Sequence, residues 1–299
     1  MGRGWVLSLA ACAAVLVSGC SSAADDAGSD AAISVVASTS VYASIAAAVG
    51  GQYVDTTAFI ASAGQDPHSY EASGRDILAV SKADLVIENG GGYDDFMTQL
   101  IDSAGGDRRV IDVVDSSGIA GRDASGFNEH VWYNLAAMQE TADQIAAALA
   151  DIDPAHRDTF VANATNFDGQ VQHLIDRAGR LRARLQGAPV AVTEPVPDYL
   201  LDSLGLDDIT PEAFTKAVEE GDDIAVSTLA ETLDLAKDHT IDALVYNAQT
   251  TGLISDQFLD AARDADIPVV AVSETLSEGT DYVSWMSDNL TRIAGALEQ

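Results

Sequence analysis

An α/β protein of two lobes, each with a small parallel sheet flanked by helices and joined by one long helix, is what this sequence predicts. Three observations carry that expectation. Short β-branched runs alternate with amphipathic helical stretches from Ile33 to Val114. The alternation returns from Ala188 onward, and between the two sets runs a helical seam without strand signals. Strands that alternate with helices pair in parallel and are covered on both faces. With 299 residues, 47% hydrophobic and 21% charged, the chain can bury the core such lobes need.

The N-terminal residues stand apart from that fold. Arg3 supplies a short positive start, and Trp5 to Val17 form an apolar run too short to span a membrane permanently. The run closes on VSGC (Val17 to Cys20), which resembles the lipobox of bacterial lipoproteins. The resemblance implies a signal peptide over 1–19, cleavage before Cys20, and a diacylated Cys20 anchoring the chain outside the cytoplasmic membrane. Two or more acyl chains suffice for stable anchoring where one is marginal. Residues 20–32 are small, polar and acidic, and read as a flexible tether. Cleavage would also remove Cys12, so no second cysteine would remain to pair with Cys20.

The first lobe is expected over 33–152. Its strands read as ISVVAST (Ile33 to Thr39), YVDTTAFI (Tyr53 to Ile60), DLVIENG (Asp84 to Gly90) and RRVIDVV (Arg108 to Val114). Helical spacing covers Val41 to Val49, Arg75 to Ala83 and Asp94 to Ala104. The linking helix is expected over 153–187. There Phe160, Ala164, Phe167, Val171, Leu174, Ala178, Leu181 and Leu185 recur at alternating steps of four and three, a narrow stripe on one helix face. Asp153 suits an N-cap before Pro154 in the first helical turn, and Gly187 suits the stop. Such a helix would run about 50 Å. Gly169 and Gly179 leave open a bend into two shorter helices. The second lobe, 188–299, has strands at Ala188 to Thr193, Asp242 to Asn247 and Ile267 to Ser273. Its helices are expected at Val196 to Leu204, Leu229 to Lys237, Asp256 to Asp264 and Tyr282 to Leu297.

The chemistry narrows by charge and then by position. With 15 basic against 47 acidic residues the net charge is -32, which argues against nucleic acid and anionic membrane surfaces and fits a cationic ligand. Of five histidines, His156, His173 and His239 fall on helices or a helix end in polar company and read as surface residues. His68 and His130 lie instead in loops that follow strands. Glu194 and Glu274 directly follow the strands APVAVT and IPVVAVS. All four therefore sit beyond the carboxyl ends of expected parallel strands, where open α/β sheets bind ligands. Two neutral imidazoles and two carboxylates match a divalent metal site. No GxSxG, HExxH or CxxC occurs, and ENGGGYDDF (Glu88 to Phe96) lacks phosphate-loop spacing, so its glycines read as a tight turn.

At this point the sequence resembles a known family: the metal-specific (cluster A-I) substrate-binding proteins of zinc and manganese ABC transporters. DPHSYEASGRDILAVSKADLVIENGGGYDDFM is similar to the family's first ligand motif, and NEHVWYNLAAMQETADQIAAALADIDPAHRDTFVANATNF to its second, running into the linking helix. The resemblance implies metal bound in the cleft between two lobes by His68, His130, Glu194 and Glu274, and delivery to a membrane permease driven by a cytoplasmic ATPase. It implies a lipid-anchored extracytoplasmic monomer, with no catalysis. The chain departs from the family in three places. Glu129 stands where proline usually precedes the second histidine. The fourth position is commonly aspartate, and Asp198, Glu278 and Asp281 are alternatives to Glu274. The histidine-rich loop of many zinc-type members is missing from SSGIAGRDASGF.

Two carboxylates with two imidazoles make an oxygen-rich set that suits manganese, with zinc close behind and ferrous iron third. Asp66 and Glu129 are the nearest candidates to orient the imidazoles. A receptor for a metal chelate or small organic ligand would need a wider cleft with aromatic platforms, and aromatics make up only 6% of the chain. A metallohydrolase would need a general base beside an open metal position, and all four candidates are taken up as ligands. An adhesin or scaffold role leaves no mark in the sequence.

Overall fold

The computed structural model describes residues 1–2, 32–62, 65, 70–122, 126–250 and 252–298. By its contacts the chain divides into Met1–Ala31, of which only Met1 and Gly2 are described, and Ala32–Gln299, which holds every element below. Cys20, the lipobox, most of the tether and His68 lie outside the described residues.

Two four-stranded, wholly parallel sheets form, one from each half of the sequence. The first has the order β2-β1-β3-β4, from β1 (Ile33–Thr39), β2 (Val54–Ile60), β3 (Leu85–Glu88) and β4 (Arg109–Asp112). The second has the order β6-β5-β7-β8, from β5 (Pro189–Val192), β6 (Asp207–Asp208), β7 (Ala243–Asn247) and β8 (Val269–Val272). The chain leaves each first strand toward one edge and returns to the other. A crevice therefore opens at the carboxyl ends of β1 and β3, and again of β5 and β7.

Strand residues point alternately to opposite faces, and this parity sorts the core. Val35, Ala37, Leu85 and Ile87 join the large central core, whereas Val36 and Val86 join a second cluster. That cluster lies beneath α2 (Gly74–Lys82) and α3 (Asp95–Ala104). In the other sheet Val190, Val192, Ala243 and Val245 face the central core, and Ala191 and Leu244 face α9 (Val226–Lys237) and α10 (Leu253–Asp264). The central strands are buried on both faces, which explains why they read as continuous apolar runs.

The central core is shared by both sheets, and one helix runs through it. All eight seam residues, from Phe160 to Leu185, are buried along α6 (Arg157–Leu185), which passes Gly169 and Gly179 without interruption. Asp153 caps a 3-10 turn, Pro154–His156, that precedes α6, so the helix starts three residues later than its proline suggests. His156 is only partly exposed: its ring stacks on Tyr53 at 3.9 Å and bonds Asp153. Ahead of it lies α5 (Leu135–Ile152), a helix the periodicity did not single out. It doubles back on α6, as the Gln139 Nε2 bond to the Asp168 carbonyl at 3.0 Å shows. The remaining helices are α1 (Ser40–Gly50), the single turn α4 (Val113–Ser116), α7 (Asp198–Leu204), α8 (Glu212–Glu220) and α11 (Tyr282–Leu297).

The glycine triplet after β3 makes the tight turn its composition suggests. Gly90, Gly91 and Gly92 all have positive φ, and a Cβ on Gly90 would lie 2.4 Å from the Asp112 carboxylate. Asp94 caps the turn, accepting from the backbone N–H of Asn89 at 2.7 Å and of Gly90 at 2.9 Å. Burial, more than the neighbouring acids, pushes Asp94 up to about 6. Burial likewise raises Glu88 to about 7, with Asp94 and Asp112 adding to it.

Two outcomes follow. Phe160→Ala, at a fully buried seam position, should cost about 3–5 kcal/mol in urea unfolding, because α6 carries the core common to both sheets. Glu88 and Asp94 bind protons more tightly folded than unfolded, so their stabilising contribution is complete below about pH 4 and fades as pH rises through 6 to 7. Metal-free protein should therefore melt at a higher temperature at pH 5 than at pH 7.5, and Glu88→Gln should shrink that difference.

Candidate metal centre

The two crevices face one another, and the acidic side of the site comes from the second. Glu194 and Glu274 each lie two residues beyond a strand, β5 and β8, and are 1% and 0% exposed. Between their strands, β7 ends on Asn247, itself 2% exposed. Its amide Nδ2 donates to Glu194 Oε2 at 2.9 Å and to Glu274 Oε1 at 2.7 Å. Asn247 Oδ1 accepts the backbone N–H of Gln249 at 3.1 Å, which fixes which end of the amide faces the carboxylates. Tyr93, from the turn after β3, donates its hydroxyl to Glu274 Oε2 at 2.8 Å. Burial, and then the Glu274 charge, raise the Tyr93 phenol far above its ordinary value, so it stays a donor.

The imidazole comes from the first half of the chain. His130 is fully buried, and its ring meets Trp132 edge-on at 5.1 Å and Tyr93 at 6.0 Å. Asn128 orients it: Asn128 Oδ1 lies 2.8 Å from Nδ1 and also accepts the His130 backbone N–H at 3.0 Å. A carbonyl oxygen at Nδ1 requires the proton there, so Nε2 carries the lone pair a metal needs. Asn128 thus orients the His130 imidazole, while Asp66 and His68 lie outside the described residues. Asn128 Nδ2 reaches across to the Pro195 carbonyl at 2.7 Å, and the Tyr199 hydroxyl returns a bond to the Asn128 carbonyl at 2.8 Å.

Position separates Glu274 from its three alternatives. Glu278 and Asp281 are exposed, and Asp281 caps α11 through the Ser284 N–H at 2.8 Å. Asp198 lies with Asp202, Asp207 and Asp208 along another cavity, where burial, then Asp208 and Asp202, push it up to about 8. His68 falls outside the described residues, but its flanks are held. The Gln65 carbonyl accepts from Gln249 Nε2 at 3.2 Å, and Tyr70 packs between Phe59 and Phe96. Gln249 also links Gln65 to the second half, because its Oε1 accepts the backbone N–H groups of Glu274 and Thr275 at 2.6 and 2.9 Å.

One acid was not anticipated. Glu219, in the last turn of α8, places Oε1 3.8 Å from His130 Nε2. Glu129, His130 and Glu219 each offer a ligand atom within 4.8 Å of the others. Burial pushes Glu219 up to about 8, and Glu129, Glu194 and Glu274 add to the shift. In sequence Glu219 is half of an acidic pair at a helix end, which reads as a solvated face. Asn247 did carry a signal, a polar residue ending an apolar strand at the switch point.

Asn247→Asp tests the carboxylate pairing: it keeps the volume but sets a third acid against two buried ones. In a chelator it should destabilise the protein by about 3 kcal/mol or more, read as a lowered melting temperature.

Known proteins share this arrangement of halves. The manganese ABC transporter substrate-binding lipoprotein PsaA of Streptococcus pneumoniae serotype 4 is 27% identical over 308 aligned positions, covering 95% of each chain. The periplasmic zinc-binding protein TroA of Treponema pallidum superposes with a TM-score of 0.73 at 17% identity, covering 89% of this chain and 99% of that one. A manganese-bound point mutant of a periplasmic metal-binding protein from Candidatus Liberibacter asiaticus gives a TM-score of 0.72 at 19% identity, covering 88% and 99%. The family model described as zinc-uptake complex component A, periplasmic (ZnuA), matches residues 35–296, and the chain belongs to that family.

Proposed function

We propose that this protein is the extracytoplasmic receptor of an ABC importer, taking up a divalent transition metal and passing it to a membrane permease coupled to a cytoplasmic ATPase. The observation that supports this is the pair of buried carboxylates, Glu194 and Glu274, bridged by the Asn247 amide, with Tyr93 joining Glu274 to the half of the chain that carries the buried His130. His68 completes the set, so each lobe, 33–152 and 188–299, contributes two ligands, with 153–187 as the strut between them. The metal is cargo, and no reaction is performed on it. Cys20 bears the lipid anchor and 20–32 the tether, and the receptor works as a monomer. Among the described residues no helix is long and apolar enough to cross a membrane.

A larger ligand fits this site poorly. Tyr93 already bonds Glu274 across the cleft, and Asn128 bonds the Pro195 carbonyl beside Glu194. Contacts this short leave room for an ion between the halves. The oxygen-rich donor set favours manganese, and the name of the pneumococcal relative agrees. Zinc is close behind, since intrinsic affinity rises toward it along the first row, and iron is third.

The test is thermal unfolding of residues 32–299, stripped of metal and titrated with manganese, zinc or ferrous ion. A ligand that binds only the native state raises the melting temperature as its concentration grows. A large rise is expected, abolished in a His68→Ala, His130→Ala double variant and weakened in Glu274→Ala. A double variant that responds like the parent would show that the site lies elsewhere.

A further inference from the structure

We propose that Glu219 is an additional ligand of the bound metal, brought to the cleft by α8, and that it biases the site toward manganese over zinc. The inference builds on the metal-receptor function above. Helix α8 is fixed well enough to place a ligand. Phe214 at its start is fully buried and packs edge-on against Phe258 at 5.5 Å, and Gly221 ends the helix in the left-handed conformation. Thr215, one helical turn before Glu219, is buried, so Glu219 shares the inward face while Glu220 is exposed and pairs with Lys216.

The contact between Glu219 and His130 lies just beyond the spacing of two ligands of one ion. At 3.8 Å, Oε1 and Nε2 are too far apart for a hydrogen bond. Metal bonds of about 2.1 Å place neighbouring ligand atoms about 3 Å apart around an octahedral ion and about 3.4 Å around a tetrahedral one. Glu219 Oε1 is buried and accepts no hydrogen bond among the described residues. A small rotation of a glutamate side chain closes the remaining gap, about 0.4 Å for a tetrahedral ion and about 0.8 Å for an octahedral one, onto an ion held at Nε2. Burying a carboxylate oxygen with no donor is costly, and a cation at this point removes the cost.

A third carboxylate matters for selection. Two imidazoles and two carboxylates can satisfy four-coordinate zinc, whereas manganese takes more oxygen ligands. An extra oxygen donor therefore adds more to manganese binding than to zinc binding.

The experiment uses the full chain, purified in detergent, with manganese and zinc as probes. Affinities are measured for the parent, Glu219→Gln, Glu219→Asp, the exposed neighbour Glu220→Gln, and His130→Ala. Water-proton relaxation of the manganese-loaded proteins reports how many water molecules reach the ion. Glu219→Gln should weaken manganese at least tenfold and zinc less than threefold, and raise relaxation as water takes the vacated position. Glu219→Asp keeps the charge but is one methylene short, so it should raise relaxation as well; Glu220→Gln should match the parent. If Glu219→Gln binds manganese like the parent while His130→Ala does not, Glu219 is no ligand and the receptor function stands. A loss of affinity fully restored in Glu219→Asp with unchanged relaxation would reduce Glu219 to a distant charge and overturn the proposal. A parent chain that takes up neither metal would overturn both.

Discussion

The structure turns on two carboxylates buried side by side. Glu194 and Glu274 are almost wholly removed from water, and each gives one oxygen to the same Asn247 amide. Bringing two anions together out of solvent costs several kcal/mol for each, far more than a neutral amide and a phenol return. Proteins retain such an arrangement where a cation balances it. Every neighbouring feature then makes sense as support. Gln249 holds the backbone beside Glu274, Tyr93 occupies its second oxygen, and Asn128 holds Nδ1 of the buried His130.

The fold supplies that pair by topology. In each sheet the strand order reverses between its two central strands, and a crevice is produced there. Glu194 and Asn247 flank this point in the second sheet, at the ends of β5 and β7. In the first sheet the corresponding place holds Asn89, whose amide braces the Glu129 carbonyl at 3.0 Å and so the backbone entering His130. A shared core through α6 keeps the two crevices opposed. With eight seam residues buried between the sheets, small shifts in either half must work against close packing.

The sequence made some parts legible and hid others for physical reasons. Strands β1, β3, β5 and β7 stood out because both faces are buried, and the α6 seam because its four-three beat is narrow and regular. α5 was hidden by its alanines, which are small enough to pack against α6 yet add little hydrophobic contrast between faces. β6 pairs through only Asp207 and Asp208, two charged edge residues with no apolar signature. Glu194 and Glu274 could be read as a pair beyond strand ends because they closely follow strands. Glu219 could not, since a glutamate pair at a helix end is the ordinary composition of a solvated surface. Only packing reveals that Thr215 and Phe214 turn one of the two inward.

Capture and release place opposite demands on such a site, and the division of ligands meets both. Binding is strong when imidazole and carboxylate close on the ion together in a dry space, where electrostatic attraction is little screened. Release needs no loss of any single bond strength if the ligands sit on separate halves, because parting them removes several donors at once. The polar contacts between the halves include Tyr93 to Glu274, Asn128 to Pro195, Tyr199 to the Asn128 carbonyl, Gln249 to Gln65, and Tyr133 to the Ser273 carbonyl at 2.8 Å. Each exchanges for water, at a net cost of about 1 kcal/mol for the neutral pairs and about 2 kcal/mol for Tyr93 on the Glu274 carboxylate. The cleft is therefore sealed by contacts that are cheap to open, while the apolar core along α6, which is not, holds the halves in register throughout.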